Sequence, residues 1–249
     1  MRRWFWLLAV FAGVAVGIGA AAIGNVPHQV ACDGNHGLAA ILRFELATSP
    51  ADVAALFGSG QCMRLLTAAM DAVNRIDSAA FIPAFTVFQV TAALALRGYH
   101  AGHAGSRLLA LAVINMALVA GGLDMMENFR LFAIGWTVQA GNPVSSAAVE
   151  PLFWVVRAKF ALLALAAGGL GVLVSRLGGR TMMVAGVAII AGAACALAGV
   201  MAHALLTPGI AAAWIMMWLV AIAQTIRPAP SATAPSPPAP SGVTAPNKS

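Results

Sequence analysis

Six apolar stretches dominate this chain of 249 residues and restrict what it can fold into. They span residues 4–23, 78–96, 108–127, 152–174, 181–203 and 208–226. Each is close to the roughly 20 residues that an α-helix needs to cross about 30 Å of hydrocarbon. A helix also satisfies its own backbone hydrogen bonds, which lipid cannot do. We therefore predict an all-α, polytopic transmembrane bundle of about six spans.

The composition agrees with a membrane protein. The chain is 61% hydrophobic and only 9% charged, values that exclude an ordinary soluble domain of this length. Its net charge of +6 comes from basic residues scattered between the apolar stretches. A nucleic-acid-binding surface would need those residues clustered, so the predicted partner is the lipid bilayer and no nucleic acid is expected. The sequence does not fix the oligomeric state.

The distribution of charge predicts the orientation of the bundle. Basic residues occupy alternate connections, at Arg2, Arg3, Arg97, Arg107, Arg176, Arg180, Arg227 and Lys248. All eight acidic residues lie on the other side of the membrane or in the spans near it. Because cytoplasmic loops of membrane proteins are enriched in Lys and Arg, we predict a bacterial inner-membrane protein with both termini in the cytoplasm.

Residues 1–23 allow two interpretations. Two arginines, an apolar stretch and the small residues Ala20 to Ala22 resemble a signal peptide with its cleavage site. The apolar stretch is longer than the usual signal segment, however, and Gly13 and Gly17 have the spacing of a close helix contact. We favour a first transmembrane span; cleavage would leave five spans and an external N-terminus.

Residues 24–77 are predicted to form a small extracytoplasmic cap of helices. Ser49, Pro50 and Asp52 provide an N-cap, a proline at the first helical position and an acid at the third. Further helices are expected at residues 38–46 and 61–75, and the second of these runs into the next span. Such short amphipathic helices suit the face of a membrane or the top of a bundle.

The rest of the chain divides into a membrane bundle and a tail. Residues 78–226 hold five spans, and the Pro-Gly pair at 208–209 predicts a tight turn between the last two. Residues 227–249 are rich in Pro, Ala and Ser and have too few apolar side chains to bury. We expect them to be a disordered cytoplasmic tail.

Cys32 and Cys62 flank the cap on the predicted oxidising side. A disulfide between them would stabilise the cap by about 3–4 kcal/mol through restriction of the unfolded chain. Free thiols, or metal ligands together with His28 and His36, are the alternatives. The spacing matches no standard metal site, so we predict a disulfide and no metal.

Charged residues inside the apolar stretches are the candidates for function. Asp124 follows Arg107 by the same number of residues as Lys159 precedes Arg176. If both arginines mark one membrane face, the acid and the base lie at the same depth, about 25 Å from that face at 1.5 Å per residue. Ionisable residues at such depth normally face the bundle interior and mark functional sites.

Other polar residues extend this candidate site. Glu127 and Asn128 share a helix face with Asp124, because the three occupy positions i, i+3 and i+4. Asp77 opens the second span on the same side, and Arg157 lies near Lys159. The predicted ligand-binding residues are therefore Asp77, Asp124, Glu127, Asn128, Arg157 and Lys159.

Three functions remain open for these residues. They can bind or help transport a small polar or lipid-like ligand, which is the function we favour. They can instead fix helix packing as ion pairs, or serve acid–base catalysis within the membrane. The sequence contains no G-x-S-x-G, Walker A, H-E-x-x-H or C-x-x-C motif. We therefore identify no catalytic residue and no cofactor, and an enzyme is the less favoured class.

Four short segments carry a resemblance to a known family. They are Phe44-Glu45-Leu46-Ala47-Thr48, Asp77 with Phe81 to Thr86, Asp124-Met125-Met126-Glu127-Asn128, and Lys159-Phe160. With these segments, residues 36–165 resemble a family of uncharacterised bacterial polytopic membrane proteins. Its relatives carry Tyr where Phe85 stands. The resemblance implies that Asp77, Asp124, Glu127, Asn128 and Lys159 belong together, and it implies no activity.

Overall fold

The computed structural model describes residues 2–26 and 37–227, and this part of the chain consists of helices joined by short turns and loops, without a strand. The helices are α1 (Arg2–Asn25), α2 (Gly37–Glu45), α3 (Pro50–Phe57), α4 (Gly60–Ile76), a π-helical segment (Asp77–Phe81), α5 (Ile82–Tyr99), α6 (Ala104–Gln139), α7 (Ser146–Ser175), α8 (Arg180–Ala202) and α9 (Leu206–Ile226).

Six of these helical stretches are long and apolar enough to cross a membrane, which confirms the predicted helical bundle. They are α1, the continuous stretch Gly60–Tyr99, and α6 to α9. Large apolar side chains point outward along them, including Phe11, Phe129, Val187 and Ile215. Because water would disfavour these side chains, the surface of the bundle is one that contacts lipid.

The first helix packs on the side of the bundle, against α5 and α9. Trp6 is buried in the core, and the indole Nε1 of Trp218 donates a hydrogen bond of 3.1 Å to the carbonyl oxygen of Val10. A Cβ at Gly13 would collide with the Trp218 ring, so the glycine permits this close approach. Whether the first span is retained or cleaved stays a prediction.

The cap contains the three predicted helices, α2, α3 and α4. At the start of α3, the Ser49 hydroxyl accepts from the Asp52 backbone N–H, while the Asp52 carboxylate accepts from the Ser49 backbone N–H. This is the reciprocal capping box that satisfies two unpaired donors at a helix start. As predicted, α4 continues into the second span; it does so through the π-helical segment.

The turn between α8 and α9 differs from the prediction. The Pro-Gly pair lies inside the first turn of α9, and the chain reverses at His203, which has a φ of 50°. Pro208 is tolerated there because the N–H groups of a first helical turn have no intrahelical partner. Gly209 keeps the hairpin tight, since a Cβ would lie within 3 Å of the backbone of both Gly192 and Ala196.

The bundle has two chemically distinct ends. The arginine end carries Arg97, Arg107, Arg176, Arg180 and Arg227, and the cap end carries α2 to α4. One apolar core lies toward the arginine end and a second lies beneath the cap helices. The charged residues of the spans lie between these two cores. Residues 228–249 of the predicted tail are outside the described part of the chain.

Candidate functional site

Lys159, on α7, lies at the centre of a group of acids. Its ammonium Nζ is 2.8 Å from Asp124 Oδ1 and 2.6 Å from Glu127 Oε2, both on α6, and 3.7 Å from Glu45 Oε2 at the end of α2. The Phe160 ring covers the ammonium at 4.4 Å from the ring centroid. Lys159, Asp124 and Glu127 are all buried. The acid and base predicted to share one depth therefore touch.

A second contact joins the π-helical segment to α6. The Asn128 amide Nδ2 donates to Asp77 Oδ2 at 2.7 Å and to Ser78 Oγ at 2.9 Å. In a π-helical turn the backbone bonds run from residue i to i−5, and the Ile82 N–H bonds the Asp77 carbonyl in this way. Pro83 follows directly, and its ring would clash with the carbonyl of Ala79 in a regular α-helix, which accounts for the wider turn.

We call Glu45, Asp77, Asp124, Glu127, Asn128 and Lys159 the charge cluster. Five of these six were predicted site residues. Glu45 was not, although it belongs to the Phe44-to-Thr48 segment that carries the family resemblance. Burial raises the pKa of the Glu45 carboxyl above its ordinary value; the Lys159 ammonium opposes this rise, and the nearby Asp124 carboxylate adds to it.

Arg157 takes no part in the charge cluster. Its Nη1 donates to the Phe153 carbonyl at 3.2 Å, and its guanidinium lies 3.5 Å from the centroid of the Phe153 ring. Residues two apart on a helix point to different sides, so Arg157 and Lys159 cannot both face α6. Of the predicted binding residues, Arg157 is the one that the structure places elsewhere.

Glu127 has the least satisfied side chain of the cluster. Its relative exposure is 0%, and its Oε2 lies 2.6 Å from the Lys159 ammonium. Within the described residues, its Oε1 has no hydrogen-bond partner. A buried carboxylate normally accepts several hydrogen bonds, because desolvation without them is costly.

Buried acid exceeds buried base in this cluster. Within the described residues, the carboxyl groups of Glu45, Asp124 and Glu127 lie within 4 Å of the Lys159 ammonium, and a fourth, that of Asp77, contacts Asn128 beside them. Fully ionised, they would leave three uncompensated negative charges at low dielectric. Neighbouring carboxylates under such conditions hold protons or attract a cation. The arrangement can therefore exchange protons, or accept a positively charged group from outside.

A groove of about 270 Å³ lies between α4 and α6 on the cap side of the cluster. Three of its lining residues adjoin cluster members. Asn74 lies one turn before Asp77, Leu131 lies one turn after Glu127, and Phe44 is the neighbour of Glu45. The other lining residues are Thr67, Ala68, Met70, Asp71, Arg75, Phe132, Gly135, Trp136 and Gln139.

The disulfide and the metal site considered for Cys62 both involve residues outside the described part of the chain. In the described ranges, no group of three or more His, Cys, Asp or Glu residues is arranged to hold a metal ion. The Lys159 ammonium fills the space among the carboxylates that a metal would need. Cys32, His28 and His36 lie outside the described residues, so the pairing of Cys32 with Cys62 stays a prediction.

Comparison of the chain with protein-family models, with curated proteins and with solved structures finds no match.

Proposed function

We propose that this integral membrane protein binds a small polar ligand at the charge cluster, and that the ligand carries an ammonium group. The ammonium can belong to a free amine or to the headgroup of a lipid, because the two present the same chemistry to a carboxylate. The ligand would enter from the cap end through the groove between α4 and α6. The resemblance to the uncharacterised membrane family remains part of this proposal.

The excess of buried acid is the observation that supports this function. Helix packing requires only one pair, and Lys159 with Asp124 at 2.8 Å would suffice. The added carboxylates of Glu127 and Glu45 increase the desolvation cost without adding a base. Natural proteins rarely retain charge in a membrane without a functional reason. A cationic ligand offsets that charge, and bound protons do so when the ligand is absent.

The groove suits entry from the membrane–water boundary. Trp136 and the Arg75 side chain are exposed beside it, and Asp71 accepts from Arg75 at 2.8 Å. A Trp at this level is typical of the headgroup region of a bilayer. Asn74, which is buried, offers a polar side chain between the groove and the charge cluster. A polar headgroup or a free amine would thus meet hydrogen-bonding groups along its route.

Ethanolamine tests the proposal, since it is a small amine and also a lipid headgroup. We expect increasing ethanolamine to raise the melting temperature of the purified protein by several degrees, because a ligand bound only to the folded state stabilises it. Glu127→Gln should lose this rise. Glu150→Gln, which changes an exposed acid near the start of α7, is the matched control and should keep it.

A lipid arm separates the two sources of the ammonium group. The protein is placed in nanodiscs of phosphatidylethanolamine and of phosphatidylglycerol. Stabilisation by free ethanolamine in detergent identifies a soluble amine, whereas stabilisation only in phosphatidylethanolamine nanodiscs identifies a lipid headgroup. If neither treatment stabilises the protein, or if Glu127→Gln responds as the wild type does, the charge cluster is a packing device and the proposal is wrong.

The orientation and location are also proposals. We infer a bacterial inner-membrane protein whose arginine end faces the cytoplasm and whose cap end faces outward. The alternation of basic and acidic connections supports this orientation. It places the groove and the charge cluster on the external side, where a ligand from the periplasm or the outer leaflet would arrive.

A further inference from the structure

Gln89, on α5, is buried in the bundle with a relative exposure of 0%. Within the described part of the chain, neither its Nε2 nor its Oε1 has a hydrogen-bond partner. An amide can make several hydrogen bonds, and leaving all of them unmade in an apolar environment costs several kcal/mol. The side chain therefore indicates a polar partner other than the described protein atoms.

Thr86 lies one helical turn before Gln89 on the same side of α5. Its hydroxyl is buried and also lacks a partner within the described ranges. Other helical threonines donate to the carbonyl four residues earlier, as seen for Thr67, Thr91, Thr137 and Thr225. Thr86 does not use this local acceptor, so its hydroxyl is available to a molecule between α5 and α6.

The position of Thr86 relative to the charge cluster follows from Gly121 on α6. A Cβ at Gly121 would lie 2.6 Å from Thr86 Oγ1, so the hydroxyl rests directly against this glycine. Gly121 precedes Asp124 by one turn on the same helix face. Thr86 is thus one turn deeper than Asp124, and Gln89 is one turn deeper again. At 1.5 Å per residue, Gln89 lies about 9 Å below the acids.

The indole of Trp214, on α9, is a third polar group near the face of α5 that carries Thr86 and Gln89. The Trp214 ring from α9 stacks on Phe85 with ring centroids 5.6 Å apart, and Phe85 is one turn before Gln89. The buried indole Nε1 of Trp214 also has no acceptor among the described residues. A buried water typically bonds two to four polar groups. Thr86 and Gln89 supply three unpartnered polar atoms one helical turn apart, and Trp214 carries a further unpartnered donor.

We propose that Thr86 and Gln89 form a water-binding site that extends the charge cluster toward the middle of the membrane. Water here links the acids to the bundle interior and gives protons a hydrated path between Asp124 and Gln89. The path passes between α5 and α6 at Thr86, whose hydroxyl occupies the space beside Gly121. This inference goes beyond the proposed function, because the hydrated site does not depend on whether an amine binds above it.

X-ray radiolytic labelling tests the site, since hydroxyl radicals formed from bound water modify the side chains beside that water. We expect Phe85, which is fully buried, to be modified in the wild-type protein several-fold faster than Met217. Met217 is the control because it is equally buried in the apolar core and is intrinsically the more reactive side chain. The wild-type measurement needs no variant to fold.

The variant arm combines Thr86→Val with Gln89→Leu, changes that keep the side-chain size and remove the polar atoms. Modification of Phe85 should fall several-fold in this variant, while its melting temperature stays at or above that of the wild type. Equal modification of Phe85 in both proteins, or a wild-type rate no higher than that of Met217, would overturn the water site. Neither outcome depends on ethanolamine, so a failure here is distinguishable from a failure of amine binding.

Discussion

At the scale of single residues, the main feature of the site is that Lys159 can neutralise only one of the acids that surround it. Asp124 and Glu127 approach its ammonium to 2.8 and 2.6 Å, and Glu45 stands at 3.7 Å. Asp124 and Glu127 can thus substitute for each other as the close partner of the base. A site with such redundancy can release one carboxyl group to a ligand or a proton without leaving the lysine unpaired.

The sequence predicted the Asp124–Lys159 contact because helix rise converts residue number into depth. It could not predict Glu45, since α2 reaches the cluster through the tertiary packing of the cap, which no periodicity describes. Arg157 was included because it is close to Lys159 in sequence. Side chains two residues apart on a helix point in different directions, however, so the two residues do not face the same neighbour. The sequence predicted the depth of each charged residue in the membrane. The direction in which each side chain points depends on the packing of neighbouring helices, which the sequence pattern does not describe.

Asp52 provides a pH-dependent prediction in the cap. Its Oδ2 accepts from the Thr48 backbone N–H at 2.9 Å, from the Thr48 hydroxyl at 2.8 Å and from the Ser49 N–H at 2.9 Å. These bonds, with the Thr48 backbone first, lower the pKa of Asp52 below its ordinary value. A lowered folded-state pKa means that the stabilisation is present above the unfolded pKa of about 3.9 and is lost as the pH falls through the folded value.

We therefore expect Asp52→Ala to reduce the hydrogen-exchange protection of α3 at pH 6 by the equivalent of about 1 kcal/mol, the usual value of a helix cap. Below the folded pKa of Asp52 the variant and the wild type should converge. Protection factors of the α3 amides, corrected for intrinsic exchange, provide the measurement. Glu150→Ala is the control and should leave α3 unchanged. A difference that persists undiminished in acid would contradict a role for the ionised carboxylate.

At the scale of helices, the apolar stretches predicted six spans but not their full lengths. Helix α6 continues to Gln139, well past the apolar stretch that ends at residue 127, because its later turns pack against α4 and the cap. The π-helical segment was also not predicted, although Pro83 is its visible cause. By widening one turn, this segment helps to bring Asp77 and Ser78 to Asn128.

The hairpin of α8 and α9 shows a second limit of sequence patterns. A Pro-Gly pair predicts a turn, and a turn is indeed close by, at His203. The pair itself starts a helix, because Pro fits a first turn and Gly209 fits a close crossing. The local sequence Pro-Gly is compatible with both a turn and a helix start. Only the close approach of the α8 backbone distinguishes between these two structures.

At the scale of the whole molecule, charge divides the bundle into an arginine end and a cap end, and this division predicts its orientation. Reporter fusions after Arg97, Arg176 and Arg227 should show cytoplasmic activity, because positive connections are retained on that side. A fusion near Asp52 or Glu150 should show external activity. A cytoplasmic signal at Asp52 would reverse the bundle and place the groove on the inner face.

The excess of acid over base is the central claim, and the free energies of unfolding of Asp124→Asn, Glu127→Gln and the double variant test it most directly. We predict small changes in both single variants, since each leaves Lys159 paired with the other acid. The double variant should lose about 3–5 kcal/mol, the cost of stranding a buried charge, because among the described residues the ammonium then retains one carboxylate, that of Glu45 at 3.7 Å. If Asp124→Asn alone costs as much as the double variant, Asp124 and Lys159 form a simple structural pair, and the claim of surplus acid is contradicted.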